Sequence, residues 1–515
     1  MAFANRSRIE QTVEALAQFN ATPGAGITRL SYTTEYRAAQ AYLKQELEAA
    51  GLSVRLDSMG NLIGRKEGTD RSLAAIAVGS HLDSVRNGGK YDGAMGIICG
   101  LELARMMQED NLSLRHPFEV IAIVEEEGNS FGSGILGGKA LSGLLETDYL
   151  KQLTNNDGVT AYDVMKAYGL TPDDLPQVKR DKTSWAYFIE PHIEQGPVLE
   201  SEKLSVGIVD TIVGIRTKKL IITGRPDHGG TTPMRLRLDA VVAAMKIVHL
   251  VDEMARELND GTVTTCGSLH VEPGAPNVVP GKVEMSVECR SPHQASIDTI
   301  FGAVEKLLAQ LQAEGYQTET GGLMEVAPVH LSEKVTAALS QGLRENKLPL
   351  KTLPSGAGHD SMFISQVTDA GMLFAPSKNG RSHCPEEFTP AGDIAKCCDV
   401  AYTALKELDR DWSFRSPIKS QASGYPEAWP FAVIPHWPRR WLEPAVCRFD
   451  SNFDYWSRIL DWRRNSDLLR ISSFSSLLWL SFFIRCACES EGVACSLSMV
   501  SRSKPCSLGV SAAIW

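Results

Sequence analysis

The sequence predicts an α/β protein built on a mainly parallel sheet. Apolar segments with strand character alternate with segments of helical spacing, which is the pattern of strands joined by crossover helices. Residue types that bind metal follow several of these strands, and ligands bind at that edge of such sheets. A central stretch, residues 214–327, has a different order of elements. Because a chain of 515 residues is too long to fold around one ordinary hydrophobic core, we expect two or more domains.

The elements outside the central stretch follow the α/β pattern. The predicted helices lie at residues 7–20, 34–50 and 96–107. The predicted strands lie at residues 52–56, 61–65, 73–78, 118–124, 185–189 and 371–375. The helix at 34–50 ends at Gly51, a residue type that commonly follows a helix. The first two strands flank a glycine turn, so we expect them to form a hairpin.

The central stretch predicts a compact α+β unit inserted into the larger domain. Its predicted strands lie at residues 215–223, 262–271 and 282–290, and its predicted helices at 239–258 and 296–314. Two helices against a small sheet are typical of ferredoxin-like units. We therefore predict a catalytic domain from residues 1–213 and 328–412, an inserted domain at 214–327, and an atypical extension at 413–515.

Metal-type residues follow the ends of four predicted strands. They are His81, Asp83 and Asp92 after the first, Glu125, Glu126 and Glu127 after the second, His192 after the third, and His383 after the fourth. Histidine and carboxylate are zinc ligands. Three adjacent carboxylates repel one another unless a cation compensates them. Any one set alone is equally typical of a surface hydrogen-bonded pair or a solvated loop, but together they predict a dinuclear hydrolase site with a free Glu as general base.

Composition narrows the classes of partner. The chain is 43% hydrophobic and 22% charged, as in soluble globular proteins. Its formal net charge of −10 argues against nucleic acid or an anionic membrane as the main partner. The N-terminus lacks the apolar run of a signal peptide, and 11 cysteines are scattered without paired spacing. We therefore expect a cytoplasmic protein.

Taken together, the motifs resemble the M20 metallopeptidase family, in its amidase branch of the hydantoinase/carbamoylase type. That branch includes N-carbamoyl-L-amino-acid hydrolases, allantoate amidohydrolases and zinc-dependent β-ureidopropionases. The resemblance runs from about Ile9 to about Leu408. It rests on residues 79–85, 87–93, 125–128, 192–200, 228–234, 277–281, 356–360 and 382–387.

The resemblance implies two divalent metal ions per subunit, with zinc expected first and manganese or cobalt as alternatives. It implies the ligands His81 and His192 for one ion, Glu127 and His383 for the other, and Asp92 for both. Glu126 is implied as the general base that acts on a metal-bridged hydroxide. Asp83 is implied behind the ligands, fixing the tautomer of His81 through its other ring nitrogen.

The resemblance also implies residues that hold the substrate. His228 is expected to stabilise an oxyanion, offered across a homodimer by the inserted domain, which then serves as lid and dimerisation domain. Arg290 is expected to clamp a substrate carboxylate. Gln195, Asn277 and Gly358 are expected to contact the substrate, and His359 to support the site.

The implied reaction is hydrolysis of the C–N bond in small carboxylates that carry a ureido or amide group, such as N-carbamoyl-L-amino acids. Allantoate is an alternative substrate. A peptidase or aminoacylase of the same family, and a metal-containing binding protein without turnover, are alternative functions. Many relatives carry Arg-Phe after the segment matching Glu127 and Gly128, whereas this chain has Asn129, Ser130 and Phe131, which leaves the subgroup open.

The extension at residues 413–515 departs from the rest of the chain. Eight of the nine tryptophans lie at Trp412 or later, and Arg outnumbers Lys ten to two within the extension. Its 12 basic and 8 acidic residues give it a charge of +4. The apolar run from Ile471 to Ile484 is too short to span a membrane. We expect the extension to be poorly ordered and dispensable.

Overall fold

The computed structural model describes residues 2–410 and two later strands, Cys495–Val500 and Ser507–Ala512. These two are numbered β15 and β16, because fourteen strands precede them among the described residues. These two strands pair with each other antiparallel. The rest of the predicted extension, and with it the prediction that the extension is poorly ordered, lies outside the described residues. Among the described residues, none of the helices combines the length and apolar character that crossing a bilayer requires.

The first half of the chain supplies most of a nine-stranded sheet. Its strands are β1 (Ser53–Leu56), β2 (Leu62–Lys66), β3 (Ala75–His81), β4 (Phe118–Ile123), β5 (Trp185–Ile193) and β6 (Gly207–Ile212). Its helices are α1 (Arg6–Leu16), α2 (Thr34–Ala49), α3 (Ala94–Glu109), α4 (Leu136–Ser142), α5 (Thr147–Leu150), α6 (Ala161–Ala167) and α7 (Val198–Ser201). The predicted hairpin is confirmed, since β1 pairs antiparallel with β2.

Residues 214–326 contain a second sheet with a hydrophobic core of its own. Its elements are β7 (Gly214–Thr223), α8 (Ala240–Leu258), β8 (Val263–Thr265), β9 (Leu269–Glu272), β10 (Lys282–Ser291), α9 (Gln294–Ala313) and β11 (Gln317–Val326). Alternate residues of β10 are buried, which places one face of the sheet against the two helices. This core supports the predicted inserted domain, whose boundaries at 214 and 327 stay a prediction.

The chain then returns to the larger sheet. The remaining elements are β12 (Val329–His330), α10 (Glu333–Glu345), β13 (Thr352–Ser355), α11 (Ser361–Ile364), β14 (Asp369–Ala375) and α12 (Ala391–Asp409). Strands β4, β3, β5 and β14 are neighbours in that order and pair in parallel. Antiparallel pairs, β2 with β4 and β6 with β14, flank this parallel centre. The predicted α/β class is confirmed.

Two predicted elements differ from the structure for local reasons. The helix predicted at 7–20 ends at Leu16, where the buried guanidinium of Arg29 donates to the Leu16 carbonyl at 3.0 Å. The strand predicted at 262–271 is wrong as one element, because it divides into β8 and β9. Between them the backbone N–H of Ser268 donates to the hydroxyl of Ser286 at 3.1 Å, a side-chain bond that replaces a ladder bond.

Candidate active site

The parallel centre of the larger sheet gathers the predicted metal ligands at one edge. His81 is the last residue of β3, and His192 lies near the end of β5. Glu127 follows the end of β4, and β14 leads into the segment that carries His383. Strands β3 and β4 are buried along their whole length, so the edge at which they end is a rigid frame.

Asp92 lies at the centre of the gathered side chains. Its Oδ1 lies 3.2 Å from Nε2 of His192 and 3.6 Å from Nε2 of His81. Its Oδ2 lies 2.9 Å from Nε2 of His383. One carboxylate therefore faces a histidine pair with one oxygen and a third histidine with the other, as expected of a carboxylate that bridges two cations.

Three sets of possible ligand atoms overlap at this point, and the atoms of each set lie within 4.8 Å of one another. The sets are His81, Asp92 and His192; Asp92, Glu127 and His383; and His81, Glu126 and Glu127. Glu127 Oε1 lies 3.6 Å from Nε2 of His383. The five predicted metal ligands are thus within reach of one another, with Glu126 beside them.

Buried oxygens at the centre fit a cation. Asp92 Oδ1 and Glu127 Oε1 are buried and accept no hydrogen bond from the described residues. An unpaired buried acceptor costs about 1–3 kcal/mol, and more when it is charged. Burial and the charge of Asp92 raise the pKa of Glu127 to about 7, and burial raises the pKa of Glu126 well above its usual value. Divalent cations would satisfy these oxygens, and histidine with carboxylate is a donor set that zinc accepts.

Asp83 supports two neighbours of the centre. Its backbone carbonyl lies 3.0 Å from Nδ1 of His81, which fixes Nε2 as the nitrogen available to a metal. Asp83 therefore lies beside the second ring nitrogen of His81, as expected, but it makes this contact with its backbone carbonyl. The Asp83 carboxylate instead accepts the backbone N–H groups of Glu126 and Glu127, each at 3.1 Å.

Several residues of the site have left-handed backbone, which non-glycine residues seldom adopt. The φ angles are 55° at Glu125, 59° at Gln195 and 56° at His383. Gly93, which precedes α3, has φ 62°, and a Cβ there would overlap the ring of His81. Strain of this kind persists where the surroundings fix it, and it is concentrated at functional sites.

The predicted substrate residues divide into two groups. Gln195 belongs to the centre, since its Nε2 donates to Asp92 Oδ2 at 3.2 Å. Arg290 reaches the loop of residues 355–359, where its Nη1 donates to the Gly356 carbonyl at 2.9 Å. Gly358 lies in the same loop. His359, also in this loop, is buried edge-on against the ring of His192, with centroids 4.5 Å apart.

The second group is His228 and Asn277, whose described hydrogen bonds are made within the inserted unit. His228 is exposed, and its Nδ1 accepts the backbone N–H groups of Gly230 at 3.0 Å and Thr231 at 3.2 Å. The carbonyl of Asn277 accepts the N–H of Gly229 at 2.7 Å, so Asn277 lies beside the His228 loop. Because Nδ1 of His228 is an acceptor, its proton is on Nε2. The structure brings these two residues to each other, and their hydrogen bonds are to their own unit.

Sequence reasoning assigned no role to three residues of the site. Glu387 binds the backbone of Asp92, and only its place after His383 in a recognised segment marked it. Asp360 is fully buried next to His359, with both carboxylate oxygens unbonded among the described residues. Ile135 has φ 58° although it is β-branched, and its side chain lies against Gly358. No sequence pattern indicates that conformation.

Comparison with known proteins agrees with this geometry and with the predicted resemblance. The model of peptidase family M20/M25/M40 matches residues 77–407. An N-carbamoyl-L-amino-acid amidohydrolase of Paenarthrobacter aurescens is 46% identical over 408 residues, which cover 79% of this chain and 99% of that one. An allantoate amidohydrolase of Escherichia coli is 35% identical over 405 residues, which cover 78% and 98%.

A solved structure extends the likeness to the fold. The crystal structure of an amidase of the hydantoinase/carbamoylase family from Burkholderia multivorans matches with a TM-score of 0.74 and 28% identity, and the match covers 79% of this chain and 98% of that one. With a family model that matches more than half of its residues and a relative that shares 46% of the aligned positions, this chain belongs to peptidase family M20/M25/M40.

Proposed function

We propose that the protein is a metal-dependent amidohydrolase that cleaves the C–N bond of N-carbamoyl-L-amino acids. The observation that carries the proposal is the position of Asp92, with two histidines at one oxygen and a third at the other. The relative from Paenarthrobacter aurescens, which bears the name of that activity, supports the substrate class. Water adds to the carbamoyl carbon and one of its two C–N bonds breaks. The carbamic acid that results loses carbon dioxide, which breaks the second C–N bond, so the products are the amino acid, ammonia and carbon dioxide.

The donor set would hold two divalent ions, one with His81 and His192, the other with Glu127 and His383, and both with Asp92. When bound, such ions polarise the substrate carbonyl and lower the pKa of the attacking water. Zinc fits these ligands best, and manganese or cobalt are alternatives. Asp92 Oδ1 and Glu127 Oε1 support this assignment, because they are buried and accept no hydrogen bond from the described residues.

Glu126 is the proposed general base. It is not one of the five assigned ligands, its side chain is 12% exposed, and its Oε2 lies 3.9 Å from Nε2 of His81. It takes a proton from the attacking water and gives it to the leaving nitrogen. The Asp83 carboxylate accepts the backbone N–H of Glu126. Asp83 comes just after the end of β3, so this bond ties the position of the base to that strand.

The substrate is proposed to lie between the metal centre and the inserted unit. Gln195 bonds its polar ureido group, backbone groups of the loop at Gly358 contact the substrate, and the guanidinium of Arg290 pairs with its carboxylate. We propose that residues 214–327 are a lid and dimerisation domain, and that His228 and Asn277 act in the site of a partner subunit. The exposure of His228 and the proton on its Nε2 support a donor role toward an oxyanion.

One experiment tests the proposal against its alternatives. Purified protein, treated with chelator and then given zinc, manganese or cobalt, is assayed for ammonia release from N-carbamoyl-L-amino acids and from allantoate. Dipeptides and N-acyl amino acids are assayed in parallel for amine release. We expect metal-dependent ammonia from the carbamoyl compounds. Preference for allantoate, which the relative from Escherichia coli makes the second candidate, changes the substrate. Activity on dipeptides or N-acyl amino acids alone indicates a peptidase or aminoacylase, and metal binding without turnover indicates a binding protein.

A further inference from the structure

Glu387 joins two loops that carry metal-ligand candidates. We call residues 87–93 the Asp92 loop and residues 381–388 the His383 loop. One carboxylate oxygen of Glu387, Oε1, accepts the backbone N–H groups of Tyr91 at 2.9 Å and Asp92 at 3.0 Å. The other, Oε2, accepts the hydroxyl of Ser382 at 2.7 Å. The side chain is buried, so these bonds are not exchanged with water.

The two loops are shaped around this carboxylate. A Cβ at Gly89 would overlap the side chain of Glu387, so the second glycine of the Asp92 loop is the space that the carboxylate fills. The rings of Tyr91 and Phe388 meet edge-on beside it, with centroids 5.8 Å apart. Within the His383 loop, the backbone N–H of Glu387 donates to the Cys384 carbonyl at 3.1 Å. The link therefore joins two segments that are far apart in the sequence.

Ser382 extends the link to the side chain of Asp92. Its hydroxyl oxygen lies 2.7 Å from Glu387 Oε2 and 3.1 Å from Asp92 Oδ2. A hydroxyl has one proton, so it donates to one of these carboxylates at a time. Ser382 therefore lies between the two carboxylates, and its hydroxyl links the side chain of Glu387 to that of Asp92.

The histidines depend on this link to different degrees. His81 and His192 lie in β3 and β5 and are fully enclosed, so the sheet itself fixes them. His383 is in a loop, its side chain is 49% exposed, and its backbone is left-handed. Fewer contacts fix His383 than fix the other two, and the Glu387 carboxylate is one of the bonds that tie its loop to Asp92.

We propose that Glu387 is a positioning residue that holds Asp92 and His383 at metal-binding distance. It thereby sets the metal affinity of the site formed by Asp92, Glu127 and His383. It affects the site formed by His81, Asp92 and His192 less, because the sheet fixes the two histidines of that site. This inference rests on the two-ion assignment in the proposed function. Partners behind metal ligands typically contribute 10- to 100-fold in affinity or activity.

The test is a zinc titration of metal-free protein against a chromophoric chelator, without substrate. We compare wild type with Glu387→Ala and Glu387→Gln. The matched control is Glu386→Ala, since Glu386 is exposed and pairs with Arg381 at 3.1 Å on the surface. We expect Glu387→Ala to bind one ion about 10- to 100-fold more weakly and the other with a clearly smaller loss. The control should bind both ions as wild type does.

Glu387→Gln separates positioning from charge. Its amide oxygen can accept both backbone N–H groups, and its amide NH₂ can donate to the Ser382 oxygen, so we expect both affinities near those of wild type. Circular dichroism and the Tm of the metal-free proteins show whether each variant folds. If Glu387→Ala does not fold, Glu387→Asp, whose carboxylate is one methylene short of the Asp92 loop, is expected to show the same selective loss.

The outcomes that overturn the inference are distinct from failure of the proposed function. Unchanged affinity for both ions in Glu387→Ala, or an equal loss for both, overturns the inference alone. A wild-type protein that binds fewer than two ions contradicts the two-ion assignment as well. Ammonia release by wild type, measured separately, tests the substrate without reference to Glu387.

Discussion

The carboxylate of Asp83 accepts the backbone N–H of Glu126 at 3.1 Å, so a residue next to one metal-ligand candidate also fixes the proposed base. The carbonyl of Asp83 lies 3.0 Å from Nδ1 of His81. The contact with His81 is buried and the contact with Glu126 is partly buried. Orientation of the ligand and placement of the base therefore depend on one residue, through different groups.

Replacing Asp83 by Asn should separate these two contributions. The Asn carbonyl side would still accept one backbone N–H, but the amide NH₂ would face the N–H of Glu126 or Glu127 and repel it. We expect kcat to fall about 10- to 100-fold while the protein still binds two metal ions, because the backbone carbonyl at His81 is kept. Steady-state kinetics and metal analysis measure this. The control is Asp70→Asn, because the hydrogen bonds between the Asp70 carboxylate and Ser72 are exposed. Unchanged kcat in Asp83→Asn would contradict the proposed placement of the base.

Replacing Glu126 by Gln removes the base without changing its size. The five proposed ligands are left in place, so we expect two metal ions to remain bound. Hydrolysis should fall by about 10²- to 10⁴-fold, the contribution of a general base. Metal analysis by mass spectrometry and an ammonia assay check the two parts. Turnover equal to that of wild type would exclude Glu126 as the base.

Gly93→Ala should weaken zinc binding in addition to straining the backbone at position 93. A side chain in left-handed backbone costs about 1–2 kcal/mol, and at position 93 the added Cβ would also overlap the His81 ring. Gly158→Ala is the matched control, because its φ is 76° and a Cβ there meets nothing within 4 Å. We expect both variants to lose stability, and Gly93→Ala alone to lose zinc affinity. Equal zinc affinity in the two variants would mean that the Gly93 site tolerates a methyl group.

Removal of metal should lower the free energy of unfolding. Bound cations offset the mutual repulsion of Asp92, Glu126 and Glu127, and a ligand at 1,000 times its Kd stabilises the folded state by about 4 kcal/mol. We expect chelator to lower the Tm and abolish hydrolysis, and added zinc, manganese or cobalt to restore both to different extents. The Tm is measured by circular dichroism in a thermal scan at constant pH. A Tm that does not respond to chelator would argue against structural coupling of the metals.

Truncation after Asp411 should leave a folded and active protein. Among the described residues, Leu408 is the last member of the larger hydrophobic core, and every residue assigned to the site precedes that position. The relatives from Paenarthrobacter aurescens and Escherichia coli are covered over 99% and 98% of their lengths by 79% and 78% of this chain. We expect unchanged kcat/KM and an unchanged Tm within error. Loss of soluble protein on truncation would show that residues beyond Asp411 contribute to folding.

That the metal-ligand candidates would lie together was predictable because strand order and residue type act together. Parallel strands bring their carboxyl ends to one edge of the sheet. Each of the four sets of His and carboxylate residues came after the end of a predicted strand. The substrate residues of the inserted unit, such as His228, were identified by resemblance alone, and their roles stay predictions. The division of residues 262–271 into two strands depends on a bond between Ser268 and Ser286, which alternation of apolar residues does not reveal.

Glu387 shows why the supporting contacts were harder to predict. It lies 295 residues from Asp92 in the sequence and binds that residue's backbone, which has no side-chain signature. The carboxylate of Asp83 likewise bonds peptide N–H groups, and these are present at every non-proline position. Such contacts require the relative placement of two loops, and residue pattern within one segment does not contain that placement.

The left-handed backbone at Gln195 and His383 affects attempts to make this protein more heat-resistant. Glycine is the residue that a stability-based redesign would choose at both positions, since it relieves the unfavourable torsion. Each of those exchanges would relieve backbone strain and remove a side chain that contacts Asp92 at the candidate metal centre. Thermostabilisation should therefore be directed at helices such as α8, and selection should be scored by turnover as well as by heat survival.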